Sequence, residues 1–155
     1  MSDGADARIV VLDTDVWSHL FVRRTTSDEV RSWRELLTGR TVVVSTQTRA
    51  EVLVGILSGN WGERRRAQAR EILDGTATVP VTDDVVVAYA NLAADCRRAG
   101  HALAQKIHTG DRWVAATAIA IGAPLLAVDH IYRNAPGLHM LGVEQGSMPE
   151  EGTGV

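Results

Sequence analysis

The chain is poor in several things that would mark a specialised protein. Among 155 residues there is one cysteine, Cys96, so no intramolecular disulfide can form and nothing argues for an oxidising compartment. Lysine is nearly missing: fifteen of the sixteen basic residues are arginine, and Lys106 is the exception. With the abundant Ala, Val and Gly, that bias reflects a GC-rich genome rather than a function. A large excess of charge is also absent. Sixteen basic side chains face nineteen acids, for a net charge of −3, which excludes a histone-like or arginine-tailed binder of nucleic acid. An enzyme acting on nucleic acid is not excluded, because acids that bind metal would mask a basic groove. The longest greasy stretch, Trp113 to Val128, is broken by Gly122 and Pro124 and is too short to span a bilayer. The first eight residues, MSDGADAR, carry two acids and no apolar segment, so no secretory leader is expected. The expected setting is the cytoplasm.

What the chain does have is enough apolar residue, 45%, to build one ordinary core. Five short runs read as strands: Arg8–Leu12, Thr41–Ser45, Thr76–Val81, Pro124–Val128 and Leu138–Gly142. Several are apolar throughout, as strands covered on both faces are. Helical patterns lie between them. Val30, Trp33 and Leu37 share a face after Ser27 and Asp28; Val52, Leu53, Ile56 and Leu57 follow Thr48; Val85, Tyr89, Leu92 and Cys96 lead to Gly100. The stretch from Trp113 to Ile121 is apolar all round and so belongs at the centre. Strands alternating with helices give an α/β domain with a mostly parallel sheet. It covers residues 1–142, and residues 143–155, which lack any period, are expected to be a mobile tail.

Four acids stand in places unusual for solvated charge. Asp13 follows the first strand, Asp129 follows the fourth, Glu51 lies a short turn past the second, and Asp111 heads the buried helix. In an open parallel sheet, ligands bind beyond the carboxyl ends of the strands, so the four could face one spot. Gathered there they would repel and call for a cation, and an all-oxygen set suits Mg²⁺ or Mn²⁺. Each acid also has an ordinary structural use. Asp13 and Asp129 could cap the segments that follow them, Thr48-x-x-Glu51 has the form of a capping box, and Asp111 could complement a helix N-terminus.

Taken together, the motifs resemble the PIN domain family, and within it the VapC-like toxins of type II toxin–antitoxin modules. IVVLDTDVWSHL is similar to the family's opening strand and first acid, Asp13; STQTRAEVLVGI to the segment that carries Glu51; GDRWVAATAIAIGAPLLAVD to the Asp-headed helix, strand and final acid, here Asp111 and Asp129; and NAPGLHML to the closing strand. The chain departs from the pattern in a fifth acid, Asp15, and in Gly110 before the third acid. The resemblance implies a single PIN-like domain and a Mg²⁺- or Mn²⁺-dependent endoribonuclease. Asp13, Glu51, Asp111 and Asp129 would be its metal-binding and catalytic residues, and structured RNA of the tRNA or rRNA class its substrate. It also implies a cognate antitoxin and, as a further partner, a second copy of the chain.

Setting those four acids aside leaves sixteen basic side chains against fifteen acids, a surface not hostile to RNA. Arg64, Arg65, Arg66 and Arg70 form a cluster that reads first as a solvated helix face and second as a phosphate contact, and Arg112 could pair with an acid. Trp17 and Trp33 read as core, and the five histidines show no metal spacing. Two other readings stay open. VVLDTDVW also resembles the nucleophile loop of haloacid-dehalogenase-like phosphatases, with Asp13 attacking phosphorus, Asp15 as acid and base, and Lys106 in support. Alternatively the acids only cap helices in a non-catalytic interaction module.

Overall fold

The computed structural model describes residues 7–142. Four strands, β1 (Ile9–Leu12), β2 (Thr41–Ser45), β3 (Ala77–Val79) and β4 (Leu125–Leu126), form one sheet in the order β3-β2-β1-β4, all parallel. Six helices cover it: α1 (Thr14–Trp17), extended by a π-helical turn over Ser18–Val22, then α2 (Asp28–Leu37), α3 (Thr46–Ser58), α4 (Glu63–Asp74), α5 (Asp83–Ala99) and α6 (Thr109–Ile121). Short 3₁₀ turns occupy Ala102–Ala104, Lys106–His108 and His130–Tyr132.

The lack of alternation in the strands has the expected cause. Successive side chains of a strand face opposite ways. Here Val10, Leu12 and Val44 enter one apolar cluster with Trp17, Trp33, Val52, Ile56 and Leu73, while Val11, Val43 and Leu125 enter another with Leu92, Leu103, Val114, Ala115 and Ala118. The sheet is therefore buried on both faces, with α1 to α4 on one side and α5 and α6 on the other. Trp17 and Trp33 are both core residues, and the indole of Trp17 also donates to the Thr76 hydroxyl at 3.3 Å. The helix ends are set by local chemistry. Ser27 caps α2 by accepting from the Val30 amide, and Gly100 and Gly122 end α5 and α6 in the left-handed conformation at φ +67° and +64°.

Three sequence expectations change. The run Leu138–Gly142 is not a strand: Met140 makes a single parallel bridge to Leu125, through Leu125 N–H to His139 O (2.9 Å) and Leu141 N–H to Leu125 O (2.8 Å). The run is cut short because turns with positive φ at Gly137 and Gly142 bound it on both sides. Thr48 does not open α3. Ser45 is the cap, accepting from the Thr48 amide at 3.0 Å, so Glu51 sits in the second turn and makes no capping box. The edges of the sheet are also shorter than read, Ala77–Val79 and Leu125–Leu126 in place of Thr76–Val81 and Pro124–Val128. The proposed tail, residues 143–155, lies outside the described residues. Among the described residues no helix is long and apolar enough to cross a membrane.

The strand order places the functional crevice. The chain moves outward from β1 to β2 and β3, then returns to add β4 on the other flank of β1. Crossovers leaving neighbouring strands in opposite directions open a cleft at their carboxyl ends. That point lies between β1 and β4, where the Asp13 amide donates to Leu126 O at 3.0 Å. Leu125 is fully buried beside it. Truncation to Ala is expected to cost about 2–5 kcal/mol of unfolding free energy. Urea denaturation checks this, and a loss below about 1 kcal/mol would show that β4 is not a packed strand.

Candidate active site

Asp13 leaves the end of β1 in extended conformation (φ −71°, ψ 160°) at the N-cap position of α1, but its side chain makes no cap hydrogen bond. The carboxylate is thereby free to face the cleft, although the residue is only 7% exposed. Asp111 arrives from the other side of the sheet, in the first turn of α6. The two meet at one group that the sequence did not single out, the phenol of Tyr132. Its hydroxyl lies 3.3 Å from Asp13 Oδ1 and 3.2 Å from Asp111 Oδ1. The second oxygen of Asp111 is 2.9 Å from His108 Nδ1.

Glu51 comes from α3. Its Oε2 accepts from the Thr14 hydroxyl, which lies 3.1 Å from that of Thr48, and its Oε1 accepts from Gln47 Nε2 at 2.9 Å. The carboxylate is near the head of α6 as well. A β-carbon placed on Gly110 would stand 2.9 Å from Gln47 Nε2 and 3.3 Å from Glu51 Oε1, so the missing side chain there lets α6 approach α3 closely. Asp129 is placed differently. It is exposed, and its Oδ1 accepts from the Ile131 amide at 2.9 Å, capping the turn that carries Tyr132. No hydrogen bond joins it to the other three acids among the described residues.

Crowding shows in the acid–base chemistry. Burial pushes the Asp13 carboxyl up to about 7; the Thr14 amide pulls it down, and Asp15, Asp111 and Glu51 push it further up. Burial, then the charges of Asp13 and Asp111, drive the Tyr132 phenol far above its ordinary range, so it keeps its proton. One phenol proton can satisfy one carboxylate only. The donor set is all carboxylate oxygen, which suits a hard divalent ion and no softer metal. Among the described residues no three His, Cys, Asp or Glu side chains form a ready cage. Mg²⁺ does not require one, since it is commonly held by one or two carboxylates and keeps several waters. The Asp13–Asp111 pair fits that demand, with Glu51 at its side.

Other candidates resolve into structure. Arg112 is buried and donates to Leu103 O (2.5 Å), Gln105 O (2.7 Å), the Thr109 hydroxyl (3.0 Å) and the Tyr89 hydroxyl (3.2 Å), so it pins the 103–109 segment and, among the described residues, pairs with no acid. The arginines of α4 make mostly local contacts: Arg65 stacks on Trp61, Arg66 donates to Gly59 O, and Arg70 pairs with Asp74. Tyr132 gave no signal in sequence, since a lone aromatic in HIYRNA looks like core. His108 had a signal in the sequence, since it lies three positions before Asp111, at the cap of the same helix. Two surface depressions of about 550 and 670 Å³ are lined by other residues and touch none of Asp13, Glu51, Asp111 and Asp129.

Residues 10–138 match the PIN domain family. No curated protein matches the sequence. Among solved structures, the chain is similar to VapBC2 from Rickettsia felis bound to a DNA fragment from their promoter (TM-score 0.70, 20% identity, 85% of this chain and 96% of that one). It is also similar to VapBC-5 of Mycobacterium tuberculosis, a member of the VapBC family of toxin–antitoxin systems (TM-score 0.62, 27% identity, 88% and 99%). A third similarity is to VapBC-1 from nontypeable Haemophilus influenzae (TM-score 0.67, 20% identity, 85% and 96%).

The raised pKa of Asp13 fixes the sign of a pH effect. The folded chain holds that proton up to near neutrality, while the unfolded chain releases it in the ordinary carboxylate range. The stabilisation is therefore complete at low pH and lost as pH rises through about 7, on the order of 4 kcal/mol in all. Asp74, held low by Arg49 and then Arg70, titrates below this window. In chelator-treated protein the thermal midpoint should fall between pH 5 and pH 8, and Asp13→Asn should flatten that fall. Equal slopes in the two proteins would contradict the account.

Proposed function

The chain belongs to the PIN domain family, and from that premise we propose that it is a VapC-like toxin, a metal-dependent endoribonuclease restrained by a cognate antitoxin. The observation that carries the reading is the meeting of Asp13 and Asp111 across the sheet's switch point, in a setting where their charges oppose one another. The toxin–antitoxin relatives among the solved structures support the class and the antitoxin partner. Family membership sets aside the phosphatase alternative.

In this reading Asp13 and Asp111 hold Mg²⁺ or Mn²⁺. The ion, once bound, supplies an activated water and neutralises charge on the phosphodiester. Glu51, its two oxygens steadied by Thr14 and Gln47, orients the attacking water. The burial of Asp13 keeps its side of the cleft dry, which strengthens every electrostatic contact there. Hydrolysis then breaks one bond of the RNA backbone, and the leaving oxygen takes a proton from solvent. The substrates are structured RNAs of the tRNA or rRNA class. The chain works in the cytoplasm, where such RNAs and an antitoxin are found together.

Purified chain with Mn²⁺ should cleave RNA and leave small phosphate esters untouched. Asp13→Asn and Asp111→Asn should each lower cleavage by roughly 10²-fold or more. Folded protein that binds no Mn²⁺ and cuts no RNA would favour the non-catalytic module. Expressed alone in bacteria the chain should arrest growth, and the Asp111→Asn variant should not.

A further inference from the structure

Tyr132 is a fully buried polar group of the cleft that the proposed chemistry leaves unused. It is 0% exposed, it packs in the cluster of Leu103, Val114 and Leu125, and its hydroxyl touches one oxygen from each of the two acids. The ring cannot swing away without opening that cluster. The hydroxyl therefore sets the separation of Asp13 and Asp111. For Asp111 the constraint is stronger, since Tyr132 holds Oδ1 and His108 holds Oδ2, which fixes the plane of the carboxyl group. Partners of this kind orient the ligands of a metal and tune its affinity.

The turn that carries Tyr132, His130–Tyr132, spans three residues and has too few internal hydrogen bonds to hold its place alone. It is closed at its start by Asp129, whose Oδ1 takes the Ile131 amide. At its far end His101 Nε2 lies 2.7 Å from Arg133 O, and that ring also accepts from the Leu103 amide. The fourth acid of the sequence pattern thus reaches the other acids through the turn, by placing Tyr132.

We propose that Tyr132 is a positioning residue that fixes the Asp13–Asp111 pair at the spacing a divalent ion needs, and that Asp129 acts on the site through Tyr132, as the cap of its turn. This rests on the metal-dependent reading above. It separates two roles for Asp129 that charge distinguishes: a cap works equally well as Asp or Asn, whereas a ligand does not.

The test is Mn²⁺ alone, titrated calorimetrically into the full chain at pH 7.5. Tyr132→Phe, which removes one oxygen atom, should weaken Mn²⁺ binding about tenfold or more. Asp129→Asn should bind within about twofold of wild type, and Asp129→Ala should bind several-fold more weakly. Unchanged or tighter binding by Tyr132→Phe overturns the proposal while leaving the nuclease reading intact. An Asp129→Asn loss as large as that of Asp129→Ala does the same, by making Asp129 a ligand. A wild type that binds no Mn²⁺ overturns both. Should Tyr132→Phe fail to fold, the wild type carries the test. The chain has two tyrosines, Tyr89 and Tyr132, so ¹³C labelling at tyrosine Cζ gives two signals. Mg²⁺ should move that of Tyr132 and leave that of Tyr89, and a still Tyr132 signal in a Mg²⁺-saturated sample overturns the proposal.

Discussion

Two carboxylates that repel each other, Asp13 and Asp111, are held against a single buried phenol at the carboxyl end of a parallel sheet. A folded chain does not collect like charge without a counterweight, because burying carboxylates near one another raises the free energy of their ionised forms. The counterweight in the ion-free protein is a proton, which is why Asp13 is pushed up to about 7. In the function proposed above it is a divalent cation. The unfavourable local term is tolerated because the two apolar clusters on either face of the sheet supply most of the folding free energy.

Each acid reaches the cleft from a different part of that framework. Asp13 comes from the end of β1, Asp111 from the head of α6, and Glu51 from the second turn of α3, whose start is set by the Ser45 cap. Backbone geometry brings them together, and hydroxyl, amide and imidazole groups aim them: Thr14 and Gln47 on Glu51, His108 on Asp111, Tyr132 on the pair. The buried Arg112 ties the loop before α6, through Leu103 O and Gln105 O, to Thr109 at the head of α6 and Tyr89 of α5. Gly110 completes the arrangement by letting α6 close on α3.

The parts of this that periodicity encodes were legible in the sequence. TVVVS is β2 residue for residue, Gly100 ends α5, and the apolar run after Asp111 is the central helix. Strand ends beside acids pointed to the right end of the sheet. What stayed hidden depends on distance across the fold. Nothing local in LHMLG shows that only Met140 pairs, or in STQT that Ser45 and not Thr48 starts the helix. Asp129 has the sequence setting of a site acid, and nothing local shows that its Oδ1 accepts from the Ile131 amide two residues on. Tyr132 lies 119 positions from Asp13 and joins it only through the folded sheet, so no spacing rule could have paired them.

The central claim is that Asp13 and Asp111 together bind a divalent ion. The direct measurement is anomalous diffraction from crystals of the full chain grown with Mn²⁺. The account predicts an anomalous peak with carboxylate oxygens of both Asp13 and Asp111 at about 2.1–2.2 Å, and water filling the remaining positions. A Mn²⁺ peak at other side chains, with Asp13 and Asp111 still closed on the Tyr132 hydroxyl and no ion between them, would contradict it.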